Sequence, residues 1–325
     1  MSGIISTEDD LLAEVERWAR AGRGVALATV VETWGSAPRP VGSHLVVDGE
    51  GNFLGSVSGG CVEGAVIEEA VAAIETGRAK LLTFGVADET AWRVGLSCGG
   101  KISVYVAPIN AQLEALSGVN AARSKREAAA LITELETGAL RVEHPGEAAL
   151  AEAFRSGKSG MAEGGKTFID VHVPGAKLVV IGAVHISQAL AQMARLVSLP
   201  LTIIDPRTAF ATPERFPDVL LLAEWPEDAL KKLPLDRYTA LIALTHDPKI
   251  DDHAIRAALE AECFYVGALG SRKTHAKRCE RLSDLGDKLN RIKAPIGLDI
   301  GALSPAEIAV SVLAQVIGEM RKSAP

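Results

Sequence analysis

Two cysteines lie inside glycine turns, Ser58-Gly59-Gly60-Cys61-Val62-Glu63 and Ser97-Cys98-Gly99-Gly100. Paired glycines let backbone N–H groups approach an anion closely, and a thiol beside such groups ionises more readily. The chemistry on offer is a soft sulfur ligand next to an oxyanion cradle, with N–H groups from Gly59, Gly60, Gly99 and Gly100. A second set of candidates follows a strand-like run near residue 180. The turn Gly182-Ala183-Val184-His185-Ile186-Ser187 keeps the first glycine of a dinucleotide fingerprint, and Asp205 stands 23 positions after Gly182, where an acidic residue holds a ribose. Val184 and Ser187 replace the second and third glycines. His185, at the expected helix start, and Arg272 with Lys273 further on would bring hydrogen bonding and positive charge to an anionic ligand.

The elements that must position these residues read in two blocks. In the first, apolar positions from Leu11 to Ala19 have the spacing of an amphipathic helix capped by Thr7 and ending near Gly22 and Gly24, and residues 25–31 form an apolar strand. Residues 44–47 and 53–57 make a hairpin around Asp48-Gly49-Glu50-Gly51. Between strand and hairpin runs a rigid Gly/Pro loop, residues 32–43, carrying Arg39. Helical spacing after Cys61 stops at Gly77, so Cys61 is expected at a helix N-terminus, where dipole and free N–H groups favour an anion. Residues 80–84 and 101–109 are two more strands. In the last block, strands at 177–181, 201–204, 239–244 and 264–266 alternate with helical patterns, which predicts a parallel sheet covered on both faces.

The expected fold class is therefore α/β. An N-terminal α+β domain (1–109) is followed by a partly helical connecting region (110–174) and a Rossmann-like domain (175–325). The Gly-Lys clusters at 156–160 and 163–166 lack P-loop spacing. The chain has 325 residues, a hydrophobic content of 48% and a formal net charge of −7, enough for two cores and against a broad nucleic-acid-binding face. With neither a signal-peptide pattern nor a long apolar run, a soluble cytoplasmic protein is expected. Four cysteines without a C-x-x-C pair do not make a disulfide framework or a zinc knuckle. Cys263 and Cys279 read as small apolar residues, and His44, His144, His172, His253 and His275 show no ligand spacing.

On these residues and their spacing, the chain resembles the XdhC/CoxI family, the xanthine dehydrogenase accessory factors that handle molybdenum cofactor. The resemblance rests on residues 35–39 and 55–63, on Ser97-Cys98-Gly99-Gly100, on Ile204-Asp205-Pro206-Arg207, and on residues 211–217, 265–273 and 295–302. It implies a carrier, not an enzyme, that binds molybdenum cofactor (molybdopterin, with or without a nucleotide), protects its sulfurated form and delivers it to a xanthine dehydrogenase or CO dehydrogenase. It further implies a cysteine desulfurase as second partner and a homodimer. On this reading Cys61 and Cys98 contact the molybdenum or its pterin sulfurs, Arg39 adds charge, and Ser58, Glu63 and Ser97 belong to the same site. The family's turn usually reads Gly-Ala-Gly-His, so Val184 is a departure that weakens nucleotide binding in the Rossmann domain. Two other readings stay open: an NAD(P)- or flavin-dependent oxidoreductase using Gly182, His185 and Asp205, and a regulatory Cys61–Cys98 disulfide.

Overall fold

A computed structural model describes residues 8–35, 37–60, 62–85 and 100–322, with side-chain surroundings from Leu11 onward. Cys61, Ser97, Cys98 and Gly99 lie outside the described residues, as does Thr7. Contacts divide the chain into a unit up to Pro174 and a unit from Gly175.

The first unit contains α1 (Glu8–Arg20), β1 (Val25–Trp34), β2 (His44–Asp48), β3 (Phe53–Gly55), α2 (Glu63–Thr76), β4 (Lys80–Phe84) and β5 (Lys101–Pro108). It continues with α3 (Leu113–Ser124), β6 (Ala129–Glu134), β7 (Leu140–Glu143), α4 (Ala151–Ser156), β8 (Gly160–Met161) and β9 (Thr167–His172). One antiparallel sheet has the order β3-β2-β1-β5-β4. The apolar run of β1 lacks alternation because both of its faces are covered. Ala26, Ala28 and Val30 pack with Val66, Ala70 and Ala73 of α2, whereas Val25 and Leu27 pack with Leu12 and Val15 of α1 and Leu116 of α3. Helix α2 ends where Gly77 turns left-handed, at φ 69°, and returns its N–H to Ala73 O at 2.9 Å.

Where the sequence suggests a connecting region, residues 110–174 include a second antiparallel sheet, β7-β6-β9-β8, in the same unit. The alanine-rich start of β6 reads locally as helix. Pairing from Ala129↔His172 to Glu134↔Thr167 makes it a strand, a non-local bond pattern that overrides propensity.

The second unit contains β10 (Lys177–Ile181), α5 (His185–Leu196), β11 (Leu201–Ile204), β12 (Leu220–Leu222), α6 (Pro226–Lys232) and β13 (Thr239–Ala243). It ends with α7 (Pro248–Glu260), β14 (Tyr265–Ala268), α8 (Arg272–Arg281), β15 (Ile292–Lys293) and α9 (Pro305–Lys322). The six strands are all parallel, in the order β12-β11-β10-β13-β14-β15. Counted within the unit this is 3-2-1-4-5-6, the order of a Rossmann sheet, whose ligand crevice lies beyond the strand C-termini. Leu178 and Val180 of β10 face the core with α5 and α9, and Val179 and Ile181 face the core with α7. The α/β class and the Rossmann-like parallel sheet are those expected from the sequence. Three elements, β12, α6 and β15, are too short to show a period in sequence. Among the described residues, no helix is long and apolar enough to cross a membrane.

Candidate functional site

The glycine turn after β3 is folded around a carboxylate. Glu63, the first residue of α2, turns its side chain back over the preceding segment and is only 8% exposed. Its Oε1 accepts from Ser56 Oγ at 2.7 Å, Ser58 N at 2.8 Å and Val57 N at 3.2 Å. Its Oε2 accepts from the Ser58 hydroxyl and from Gly60 N at 2.8 Å. Ser58 Oγ in turn accepts from Val62 N at 3.0 Å, and Gly59 N donates to Ser56 Oγ at 2.9 Å. Burial alone would raise the Glu63 carboxyl. The hydroxyls of Ser58 and Ser56 and the backbone N–H of Ser58 outweigh it and hold the group at about 2.

The Gly59 and Gly60 N–H groups are thus already engaged inside the turn. Of the oxyanion cradle expected from the sequence, Gly60 N–H is spent on this chain's own Glu63 carboxylate and Gly59 N–H on the Ser56 hydroxyl. The same bonds fix an outward-facing tip, since Gly59 and Gly60 are exposed. Their left-handed backbones, at φ 75° and 115°, are what glycine permits.

The loop of residues 35–43 borders both glycine segments. A Cβ on Gly59 would meet Pro38 Cβ at 3.7 Å, and a Cβ on Gly35 would meet Gly100 Cα at 3.6 Å. Gly100 is buried, and Arg39 is half-buried in the same loop. Beside this edge, where Trp34 of β1 pairs with Lys101 of β5, a cavity of about 280 Å³ is lined by Glu32, Trp34, Lys101 and Ser103. Trp34 is 72% exposed there, an aromatic face that sequence does not reveal because loop composition masks its place at a strand end. The structure brings Arg39, the Gly59–Gly60 turn and Gly100 to one edge of the first unit. Cys61, Ser97, Cys98 and Gly99, which complete the expected set, lie outside the described residues.

In the second unit, Gly182 follows β10 at φ 113°, and a Cβ there would stand 2.8 Å from Thr245 Cγ2. Val184 has extended backbone, φ −100°, so the turn itself makes no demand for the missing second glycine. Ser187 is buried in the third glycine's place and donates to Gly182 O at 2.5 Å. Asp205 is fully buried and its acceptors are filled from within. Oδ2 takes Ala183 N and Arg207 Nη2, both at 2.7 Å, and Oδ1 takes the backbone N and Nε of Arg207, both at 2.9 Å. Burial alone would raise Asp205, but the Arg207 guanidinium and the Ala183 N–H hold it below the usual carboxylate range. Asp205 therefore acts in this structure as the clamp of its own turn. His185 and Arg272 are exposed at the first residues of α5 and α8.

A cavity of about 240 Å³ sits past β13 and β14, lined by His246, Asp251, Lys273, Lys277, Arg278 and Arg281 among others. Lys273 reaches it as expected, whereas Arg272 is not part of its lining. Its floor is Arg278, 2% exposed, which donates Nη2 to Leu269 O at 3.1 Å while Nε and Nη1 have no hydrogen-bond partner among the described residues. Burial pushes the neighbouring Asp251 up to about 6. A buried guanidinium with unused donors at this end of a parallel sheet is an anion-binding arrangement. Nothing in the sequence separates Arg278 from the other basic residues of α8, because its burial is a tertiary fact.

An antiparallel α+β unit with a glycine-turn edge, followed by a parallel Rossmann unit, defines a two-part α/β protein. The XdhC and CoxI family matches residues 18–85, and the XdhC Rossmann domain matches residues 178–316. The chain belongs to the XdhC/CoxI family. It is 29% identical over 304 residues to the molybdenum cofactor insertion chaperone PaoD of Escherichia coli, covering 91% of this chain and 83% of PaoD. It is 28% identical to a Bacillus subtilis protein named as a probable component of xanthine dehydrogenase, covering 92% of this chain and 94% of that one. In fold it resembles a Bacillus halodurans protein whose crystal structure is described as a xanthine dehydrogenase. That match has a TM-score of 0.64 and 22% identity, over 98% of this chain and 96% of the other.

Proposed function

We propose that this protein is a carrier, not an enzyme, that binds molybdenum cofactor as cargo, shields its sulfurated form and hands it to a xanthine dehydrogenase-type molybdoenzyme. The observation that supports this reading most is the Glu63-centred turn. Its N–H groups are internally satisfied, so what the exposed tip can offer a ligand is the residue chemistry that follows it in sequence, the Cys61 thiol. Cys61 and Cys98 are the proposed ligands of the molybdenum or of the pterin sulfurs, since soft ligands suit that centre. Arg39, Gly100 and the exposed Trp34 ring would meet the pterin and its phosphate. In the Rossmann unit, taken by itself, the unused Arg278 donors are the groups suited to the phosphates of a nucleotide bound there. A cysteine desulfurase as sulfur source and a homodimer belong to the same proposal.

The test is anaerobic binding of purified molybdenum cofactor to wild type and to the Cys61→Ala, Cys98→Ala double variant, then transfer to a molybdenum-free xanthine dehydrogenase. Cysteine-dependent binding that restores activity is expected. Undiminished binding by the double variant refutes the site assignment, and absence of binding by wild type refutes the carrier reading. Tight NAD(P) or flavin binding with turnover would instead favour an oxidoreductase. Asp205 argues against that alternative, because its carboxylate is already filled by Arg207 and Ala183.

A further inference from the structure

His44 and His172 have no ligand spacing in sequence, yet the first unit brings both to one carboxylate. Asp170 and His172 are two residues apart on β9, so their side chains leave the strand on the same face. His44 opens β2, in the other sheet. The Nε2 atoms of His44 and His172 each lie 3.0 Å from the same oxygen, Asp170 Oδ2. One ligand atom from each of the three residues falls within 4.8 Å of the other two. The imidazoles stack with centroids 6.4 Å apart and planes inclined by 18°. His44 and Asp170 are 2% and 3% exposed, and the His172 side chain retains 14%.

His172 Nε2 is within hydrogen-bond distance of Asp170 Oδ2, and the outer polar atoms of His44 and Asp170 are each turned to a hydroxyl. Thr29 Oγ1 lies 3.1 Å from His44 Nδ1, and Ser159 Oγ donates to Asp170 Oδ1 at 2.9 Å while accepting from Val171 N at 3.0 Å. A proton on His44 Nδ1, shared with Thr29, leaves the Nε2 lone pair facing inward. His44 Nε2 is buried and makes no directed hydrogen bond, even at 3.0 Å from the carboxylate. Outer atoms tied by hydroxyls and inner atoms converging are the pattern of ligands oriented by an outer shell. Tetrahedral bonds of about 2.0–2.2 Å to nitrogen and oxygen set neighbouring ligand atoms about 3.3 Å apart, close to the 3.0 Å seen here.

We propose that His44 Nε2, Asp170 Oδ2 and His172 Nε2 bind a divalent first-row cation, Zn²⁺ foremost, with water completing the shell beside the less buried His172. The cation ties β2 to β9 across the two sheets and pins the C-terminal end of the 35–43 loop, which runs directly into His44. It is independent of any cargo bound by Cys61 and Cys98.

The full chain, stripped of metal, is titrated with Zn²⁺ against a chromophoric chelator, both as wild type and with Cys61→Ser and Cys98→Ser. One tight equivalent that survives loss of both cysteines is expected. Asp170→Asn and His172→Gln should each weaken it at least about 100-fold, and Thr29→Val by about 10–100-fold with recovery in Thr29→Ser. Co²⁺ in the wild-type protein should give a nitrogen/oxygen ligand-field spectrum without a thiolate charge-transfer band, a readout that needs no variant to fold. Absence of a cysteine-independent equivalent, or an affinity unchanged by His172→Gln, overturns the proposal.

Discussion

Glu63→Gln tests whether the glycine turn is held by a carboxylate. Among the described residues, the groups that hydrogen-bond to the Glu63 carboxylate are all donors: two hydroxyls and the N–H groups of Val57, Ser58 and Gly60. Glutamine keeps one acceptor oxygen and sets an NH₂ against donors, most directly against Gly60 N–H, which has no rotor to reverse. Lowering the carboxyl from 4.5 to about 2 corresponds to about 3 kcal/mol at about 1.4 kcal/mol per pH unit. Solvent screening at an accessible turn reduces this to about 2 kcal/mol. Since the folded value lies below the unfolded one, the contribution is complete above about pH 4.5 and is lost as pH falls through about 2. Amide exchange reads it locally. The Ser58 and Gly60 amides of the variant should exchange about 30-fold faster at pH 7, and the ratio to wild type should shrink as pH falls below 4.5. Equal exchange rates at pH 7, or a ratio that does not change down to pH 2, would refute the reasoning.

Three further outcomes follow from the Rossmann unit. Arg207→Ala removes the guanidinium and leaves the buried Asp205 carboxylate with two backbone N–H groups, those of Ala183 and of residue 207, so urea unfolding of this unit should show a loss of about 3 kcal/mol; a loss under about 1 kcal/mol would mean the clamp is unimportant. Gly182→Ala meets both a left-handed φ and a 2.8 Å contact with Thr245 Cγ2 and should cost about 2–3 kcal/mol. Adding Thr245→Ser, which removes that methyl, should recover only part of it, and full recovery would show that backbone strain contributes nothing. Pyrophosphate or ADP should bind wild type and lose at least about 10-fold in affinity in Arg278→Leu by calorimetry. Equal affinities would exclude the cavity floor as the anion contact.

Legibility in the sequence followed the range of the interactions involved. Strands β10 and β11 are bounded as their apolar runs predict, because strands buried on both faces are built almost wholly of apolar residues. Strands β6 to β9 escaped because their pairing is non-local, as far apart as Ala129 with His172, and because the alanines that open β6 favour helix on their own. The glycine turns were legible as special backbone. What they hold was not, since the fold returns Glu63 onto its own turn and Arg207 onto Asp205.

The family, the α/β class, the Rossmann-like second unit and the glycine turns as special backbone could be read before any folding, because period, turn chemistry and motif spacing are local properties of the chain. Which polar groups still have bonding capacity to offer a ligand emerged with the fold. The N–H groups of Gly59 and Gly60 and the carboxylate of Asp205 look available in sequence and are engaged in the fold. Arg278 and the inward atoms of His44, Asp170 and His172 look ordinary in sequence and converge in the fold. The physical reason is that hydrogen-bond satisfaction and burial are sums over neighbours brought together from distant positions, and no window of sequence contains them.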